Sequence, residues 1–408
     1  MNAKSLIRIS NYFFALSMPI SHSVAYIACG IGFFPAFRFW KKLSSEPIIL
    51  WITIFIVYGL IHSFFSTNPV VGYNTMFNYF SHWLLPFILG YSLSERKNIY
   101  FAFWLYYWLL LCLIFFSILA YFGLFWKNIG NNYLVNEELL KGFKHHIALA
   151  ALSINLAFLS FAIGIFNKDM NTKKRSFFIL MGLFLVGAVG LTTSRGYYIA
   201  SSIGLFIFLI WLIVYHKKYL FGGVVFIFLI LISSGVYFVS PKARLRLESA
   251  MSLSDVNVTE RIKLYKIAVM EIEDKPIFGF GPGQSVYQKQ YFDKIDTGNT
   301  FSEDGKPKYS HLHSFYLNLA AEFGLTGSLI FVVIFSLLFK KLLSICKTES
   351  YLSKAVGVGL LFGFFSVMIG ECFDTHFRGP QVAMDLFWMV GIMSADSANK
   401  KVALPAFN

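Results

Sequence analysis

Three arginines and two histidines stand where this sequence passes between polar and apolar stretches. Arg195 lies in TTSRG, directly before an apolar run. Arg261 lies in TERIKLYKIAVMEIEDKP, His311 and His313 lie in YSHLHSFYLNLAAEFGLTG, and Arg378 lies in DTHFRGPQ beside Asp374 and His376. A guanidinium presents planar, bidentate donors to phosphate or carboxylate. A neutral imidazole, with an ordinary pKa of about 6.5, can take a proton from a hydroxyl. Together these residue types describe a site that grips an anion and removes a proton. A cation at the end of a membrane span costs free energy unless it reaches headgroups or an anionic partner. Snorkelling of Arg195 and Arg378 to lipid phosphates is the alternative, and spacing alone leaves both open.

The elements that must position these residues are membrane helices. Of 408 residues, 57% are hydrophobic, 19% aromatic and only 14% charged, and apolar runs of about 20 residues recur from end to end, as bilayer-spanning helices require. The composition gives an all-α fold: a polytopic transmembrane helix bundle forming one integral membrane domain over residues 1–408, with a long loop at 240–310. Spans are expected at 47–65, 78–93, 99–125, 145–166, 176–191, 197–215, 219–239, 324–346, 355–374 and 380–395. Every second gap between them is basic: Arg38, Lys41 and Lys42; Arg96 and Lys97; Lys168, Lys173, Lys174 and Arg175; Lys217 and Lys218; Lys340, Lys341, Lys347 and Lys354; Lys400 and Lys401. Short positive loops stay in the cytoplasm, so the gaps carrying Arg195, the long loop and Arg378 converge on the outward side.

Lys4 and Arg8 place the N-terminus inside, which calls for two crossings between residues 11 and 38, broken near Pro19 or Gly30. That makes about 12 spans. One long tilted first helix, with the N-terminus outside, is the alternative. The basic then apolar start lacks a small-residue cleavage site and reads as a retained span. The net charge of +14 is mostly the positive-inside signal, and no RNA- or DNA-binding motif accompanies it, so no nucleic-acid partner is expected. Cys29, Cys112, Cys346 and Cys372 have no paired spacing and read as buried hydrophobes.

Within the long loop, Asn257 and Glu260 resemble a capping box, and Ile262, Tyr265, Val269 and Ile272 share a face before Pro276. This predicts an amphipathic helix with Arg261 in its first turn, where a cation gains nothing from the helix dipole and needs another partner. GFGPG, residues 279–283, reads as a turn rather than a phosphate loop. A second helix can start near Ser310; if continuous, it groups His313 with Leu317, Ala320, Ala321 and Gly324 and turns Glu322 to the opposite side with Asn318. A His313–Glu322 dyad is therefore not expected. His311 and His313 with His376 lack the i, i+4 spacing of a helical metal pair, so neither a metal site nor a cofactor is expected.

In motif order, TTSRG, then ERIKLYKIAVMEIEDKPIFGFGPG, then HLHSFYLNLAAEFGLTG resembles the O-antigen ligase and polymerase superfamily, over roughly residues 185–390. The resemblance implies glycosyl transfer on the periplasmic face of the bacterial inner membrane, from an undecaprenyl-diphosphate-linked O-antigen to an acceptor sugar, lipid A–core for a ligase. It maps the donor-diphosphate arginines onto Arg195 and Arg261 and the catalytic histidine onto His313. It leaves His311, Ser314, Glu322 and Arg378 as supporting positions. The residue after that histidine is often Asn in the family; here it is Ser314, whose hydroxyl can also cap a helix.

The residues suit that chemistry. Outside the cytoplasm a sugar donor must arrive lipid-linked, with its diphosphate at headgroup depth. Arg195 and Arg261 can hold it and stabilise the leaving diphosphate, while His313 removes the acceptor proton in a direct, inverting displacement. The same features fit an O-antigen polymerase or an O-linked protein glycosyltransferase; compact loops with one dominant outward loop favour a ligase. A lipid-oligosaccharide flippase would place charges along a mid-membrane path, commonly with internal repeats, and neither is evident.

Overall fold

The computed structural model describes residues 2–126, 145–217, 256–295 and 309–402, with residue 307 and scattered positions in 128–140 and 219–245. Among the described residues, thirteen helices of seven or more residues run in chain order: α1 Ala3–Ser17, α2 His22–Ser44, α3 Pro47–Phe64, α4 Pro69–Tyr79, α5 Leu85–Tyr91, α6 Arg96–Tyr121, α7 His146–Phe166, α8 Thr172–Leu191, α9 Arg195–His216, α10 Val256–Asp274, α11 Phe315–Cys346, α12 Tyr351–Gly370 and α13 Pro380–Val402. The strands among the described residues are two-residue antiparallel pairs, Asn128–Ile129 with Asn132–Tyr133 and Val135–Asn136 with Leu139–Leu140. The fold is an all-α polytopic membrane protein.

Among the described residues, eight helices are long and apolar enough to cross a membrane: α2, α3, α6, α7, α8, α9, α11 and α12. The larger number expected from sequence has specific sources. The chain turns at Met18–Ile20, beside Pro19, so residues 3–44 form two helices rather than one long one. The span placed at 78–93 is split between α4 and α5 by a π-helical turn at Phe80–Leu84. Helix α13 matches the span at 380–395 but carries Asp385 and Asp396. The span at 219–239 lies outside the described residues.

Helix α7 is innermost. Every residue from Ala148 to Phe166 is buried, and its flanks pack on α8 and α12. An apolar helix in a bilayer can also face lipid, so it is this burial on all sides, Ser153, Asn155 and Ser160 included, that places α7 at the centre.

Helix α10 begins at Val256, so Asn257 is already inside it and Arg261 lies beyond its first turn; the capping box sits too late in the chain to start the helix. It ends at Asp274, just before Pro276 would remove a hydrogen bond. The buried face is Leu264, Ile267, Ala268 and Glu271, whereas Ile262 and Val269 of the expected apolar face are exposed. The reason is packing: α10 closes a second apolar cluster with Phe280, Val286, Tyr291, Phe292, Leu312 and Ala321, against the start of α11.

Helix α11 breaks at Gly324, which takes φ 61° and ψ −163°, a region essentially confined to glycine. The break releases backbone groups, and each finds a partner. Phe280 N–H donates to the Ala321 carbonyl (2.9 Å) and Gly281 N–H to that of Glu322 (2.8 Å); Leu325 N–H donates to Pro276 O (2.8 Å) and Thr326 N–H to Ile277 O (3.1 Å). Tyr58 Oη covers the Phe323 carbonyl at 3.0 Å. The glycine turn is therefore a strap docked on the broken helix, with the N–H groups of Gly279, Phe280 and Gly281 already committed.

A Cβ at residue 324 would also collide with the Ile277 carbonyl group. Gly324→Ala should destabilise the fold by about 2 kcal/mol or more. Thermal unfolding in detergent, followed by tryptophan fluorescence, checks this against Gly30→Ala, where a Cβ meets nothing within 4 Å and a helical alanine should be neutral or stabilising. Equal melting of the Gly324 variant and wild type would mean that the break is dispensable.

Candidate functional site

The site is assembled from the ends of several elements. The sharp turn before α9 takes Thr193 to φ 55° and brings Arg195 out at the first residue of α9. Helix α10 carries Arg261 and, four residues on, Tyr265. The segment 309–314 carries His313, and the 371–379 loop closes the far side. These parts enclose a cavity of about 480 Å³ whose walls include Arg195, Arg261, Tyr265, Tyr309, His313 and Asp374. The two arginines and the histidine read from sequence thus share one cavity.

His313 is not on α11. That helix begins at Phe315, with Ser314 as its N-cap, the hydroxyl accepting from Leu317 N–H at 3.5 Å. The face expected to join His313 to Leu317, Ala320, Ala321 and Gly324 therefore does not form. Phe315 N–H is taken by the carbonyls of Glu371 and Asp374, both at 2.9 Å, which stops the helix from extending back through the histidines. His313 adopts φ 53°, and its backbone is fixed by Tyr265 Oη, which donates to the His313 carbonyl (3.1 Å) and lies 3.2 Å from that of Cys372.

Asp374 was legible only as part of an outward loop, with no role attached. It stands 3.4 Å from His311 Nε2, and the His311 and His313 rings are 4.6 Å apart. Burial would raise the Asp374 carboxyl, but the His311 hydrogen bond, the fields of His376 and His311, and the Thr375 N–H outweigh it and hold the group well below the usual carboxylate range. Burial lowers the His313 imidazole to about 4, aided by His311 and Arg261 and opposed by Asp374. His313 is thus neutral at pH 7, and among the described residues its buried Nδ1 has no hydrogen-bond partner.

One ligand atom from each of His311, His313 and Asp374 lies within 4.8 Å of the others, close enough to share a metal ion. His376, considered above as a third ligand, instead faces the Tyr197 ring, with centroids 5.8 Å apart.

Arg261 Nη1 donates to the Phe373 carbonyl at 2.8 Å and has further donors toward the cavity. Arg378 behaves differently. It turns inward to Glu322, with Nη1 3.0 Å from Oε1, and neither residue lines the cavity. The argument for an anion in the cavity therefore rests on Arg195 and Arg261. Glu322 pairs with Arg378 and Asn318, not with His313, as its position on α11 implies. Tyr265 was the other missed residue: it is one helical turn from Arg261, but it read as one more apolar-face residue.

Fold and site together define a multi-pass membrane protein with a cavity at one end of its bundle that is lined by Arg195 and Arg261 as well as Glu260 and Asp374, with a neutral histidine in its wall. Residues 177–332 match the family model described as O-Antigen ligase, which supports membership of this chain in the O-antigen ligase superfamily. The matched stretch carries Arg195, Arg261 and His313. The family indicates O-antigen ligase or polymerase-type function; its members are bacterial, membrane-bound, glycosyltransferase-like enzymes, and lipid-linked glycans are the substrates it suggests. None of the curated proteins compared with the chain matches it.

A base must be neutral to accept a proton, so activity that depends on His313 is present above its pKa and lost as pH falls through it. The acid limb of kcat/KM for glycan transfer should fall near pH 4, the pKa to which burial lowers this ring, and not near the ordinary 6.5 or so. Asp374→Asn removes a charge that raises the His313 pKa and should move the limb lower still. A limb that stays near the ordinary value in the wild type would mean that the ring is not desolvated as described.

Proposed function

We propose that the protein is an O-antigen ligase: a metal-independent, inverting glycosyltransferase that moves a glycan from undecaprenyl diphosphate to lipid A–core at the periplasmic face of the inner membrane. The observation that carries this reading is the cavity shared by Arg195, Arg261 and His313. A diphosphate entering it meets two guanidinium groups and the amino-terminal end of α9, where the helix dipole favours an anion. As the glycosidic bond breaks, negative charge builds on the diphosphate, and the arginines stabilise it where it develops.

The acceptor hydroxyl approaches from the His313 side. Its oxygen attacks the anomeric carbon while its proton passes to the neutral imidazole, and the diphosphate leaves from the opposite face. One displacement inverts the anomeric centre and needs no covalent enzyme intermediate. His311, oriented by Asp374, lies beside the His313 ring and limits its freedom. The donor's isoprenoid tail would lie among the membrane lipids that surround the bundle.

Purified protein incubated in EDTA with an undecaprenyl-diphosphate glycan and lipid A–core should glycosylate the core. His313→Ala should cut kcat by about 10²–10⁴-fold, the range for loss of a general base. Arg195→Ala and Arg261→Ala should each cost about 10²–10³-fold, with lysine restoring part of the loss. If wild type leaves lipid A–core unmodified but lengthens the lipid-linked glycan, the protein is a polymerase with the same donor chemistry. Full activity in His313→Ala would overturn the mechanism.

A further inference from the structure

Beneath the cavity wall lies a polar cluster that the transfer chemistry does not use. Glu322 is fully buried, and its Oε1 receives Arg378 Nη1 (3.0 Å), Asn318 Nδ2 (2.8 Å) and Ser285 Oγ (3.2 Å). Asn318, 2% exposed, is the pivot of the cluster. While its Nδ2 binds Glu322, its Oδ1 accepts the backbone N–H of Leu312 at 3.3 Å, and Ser285 Oγ lies 3.2 Å from both this oxygen and Glu322 Oε1, its single proton serving one at a time. Leu312 is the residue immediately before His313. On the amino side of His313 the peptide unit between His311 and Leu312, one removed from the histidine, is therefore held by Asn318, and on the other side the His313 carbonyl is held by Tyr265.

Arg378 is itself fixed at both ends. Its Nη2 donates to Thr75 Oγ1 at 3.2 Å, and its carbonyl accepts from His82 Nδ1, in the π-helical turn, at 2.8 Å. Glu271 of α10 completes the surroundings. It is fully buried, its oxygens have no partner among the described residues, and burial followed by the field of Glu322 raises its carboxyl to about 9. Glu271 is then neutral at pH 7, and the cluster contains one charge of each sign, as a dry site requires.

We infer that Asn318, Glu322 and Arg378 are positioning residues, a clamp that sets the backbone of His313 through Leu312 without touching the donor. The inference rests on the role proposed for His313. None of the three side chains lines the cavity, so they act through the histidine's backbone. A catalytic group moved by about 1 Å loses rate by up to about 10²-fold. Ground-state binding by Arg195 and Arg261 should survive the same change, because both are anchored on other elements.

The test measures kcat and donor KM for the purified full-length chain, with wild type, His313→Ala, Asn318→Leu and Glu322→Gln assayed side by side for glycan transfer. Asn318→Leu should lower kcat by about 10- to 100-fold with donor KM changed by less than about threefold. Glu322→Gln, which keeps an acceptor for Asn318, should lose less. A wild-type kcat in Asn318→Leu, or a raised donor KM at constant kcat, would overturn the clamp. Should Asn318→Leu fail to fold, the same split measured on Glu322→Gln decides: a lowered kcat at constant KM supports the clamp, and any other result sinks it. An active His313→Ala removes the base itself. An inactive His313→Ala beside a fully active Asn318→Leu removes only the clamp.

Discussion

A helix interrupted inside an apolar bundle must find new partners for the backbone groups it releases, since no water is there to take them. At Gly324 that requirement shapes the whole outer end of the molecule. The strap at 276–281 supplies N–H groups to Ala321 and Glu322 and carbonyls to Leu325 and Thr326. Because the strap follows α10 directly, pairing with the broken helix also sets where α10 lies, and with it Arg261 and Tyr265. The break further leaves a short first segment of α11, Phe315–Phe323, whose buried face carries Asn318 and Glu322 toward the 371–379 loop. The arginine-bearing and histidine-bearing walls of the cavity are thus referenced to one irregularity.

The three arginines divide into two kinds by where their side chains lie. Arg378 is matched by Glu322, a buried pair whose disruption costs about 3–5 kcal/mol because one charge is left alone. Its loop is tied down further by Trp83 Nε1, which donates to the Phe377 carbonyl at 2.7 Å, and by Glu371, which accepts the N–H groups of His376 and Phe377 at 3.0 and 3.1 Å. Arg195 and Arg261 stand instead on helices that face the cavity. Charge of the same type is built into the architecture in one place and lines the cavity in the other.

Much of this was legible in the sequence. Long apolar runs mark the bundle because hydrophobicity is local, and the order of Arg195, Arg261 and His313 marks the cavity because the motifs that carry them are contiguous. Turn chemistry at Pro19 and the GFGPG turn were equally readable. What escaped the sequence depends on partners far away in the chain. The face α10 buries was misjudged because it is chosen by Phe280, Leu312 and Ala321 rather than by its own periodicity. His313 was drawn onto a helix because nothing near it reveals that the carbonyls of Glu371 and Asp374 occupy the Phe315 N–H. Asp374 and Asn318 have ordinary neighbours in sequence and gain their significance only from what the fold brings to them.

The backbone at residue 313 has one more implication. A left-handed φ of 53° is uncommon for any residue but glycine, although histidine, like asparagine and aspartate, adopts it more readily than most. The strain, on the order of 1 kcal/mol, persists because surrounding hydrogen bonds over-determine the turn. A residue chosen for stability alone would have no imidazole. Residue 313 is thus a position where folding and chemistry favour different side chains, and gains in one are expected to come at the expense of the other.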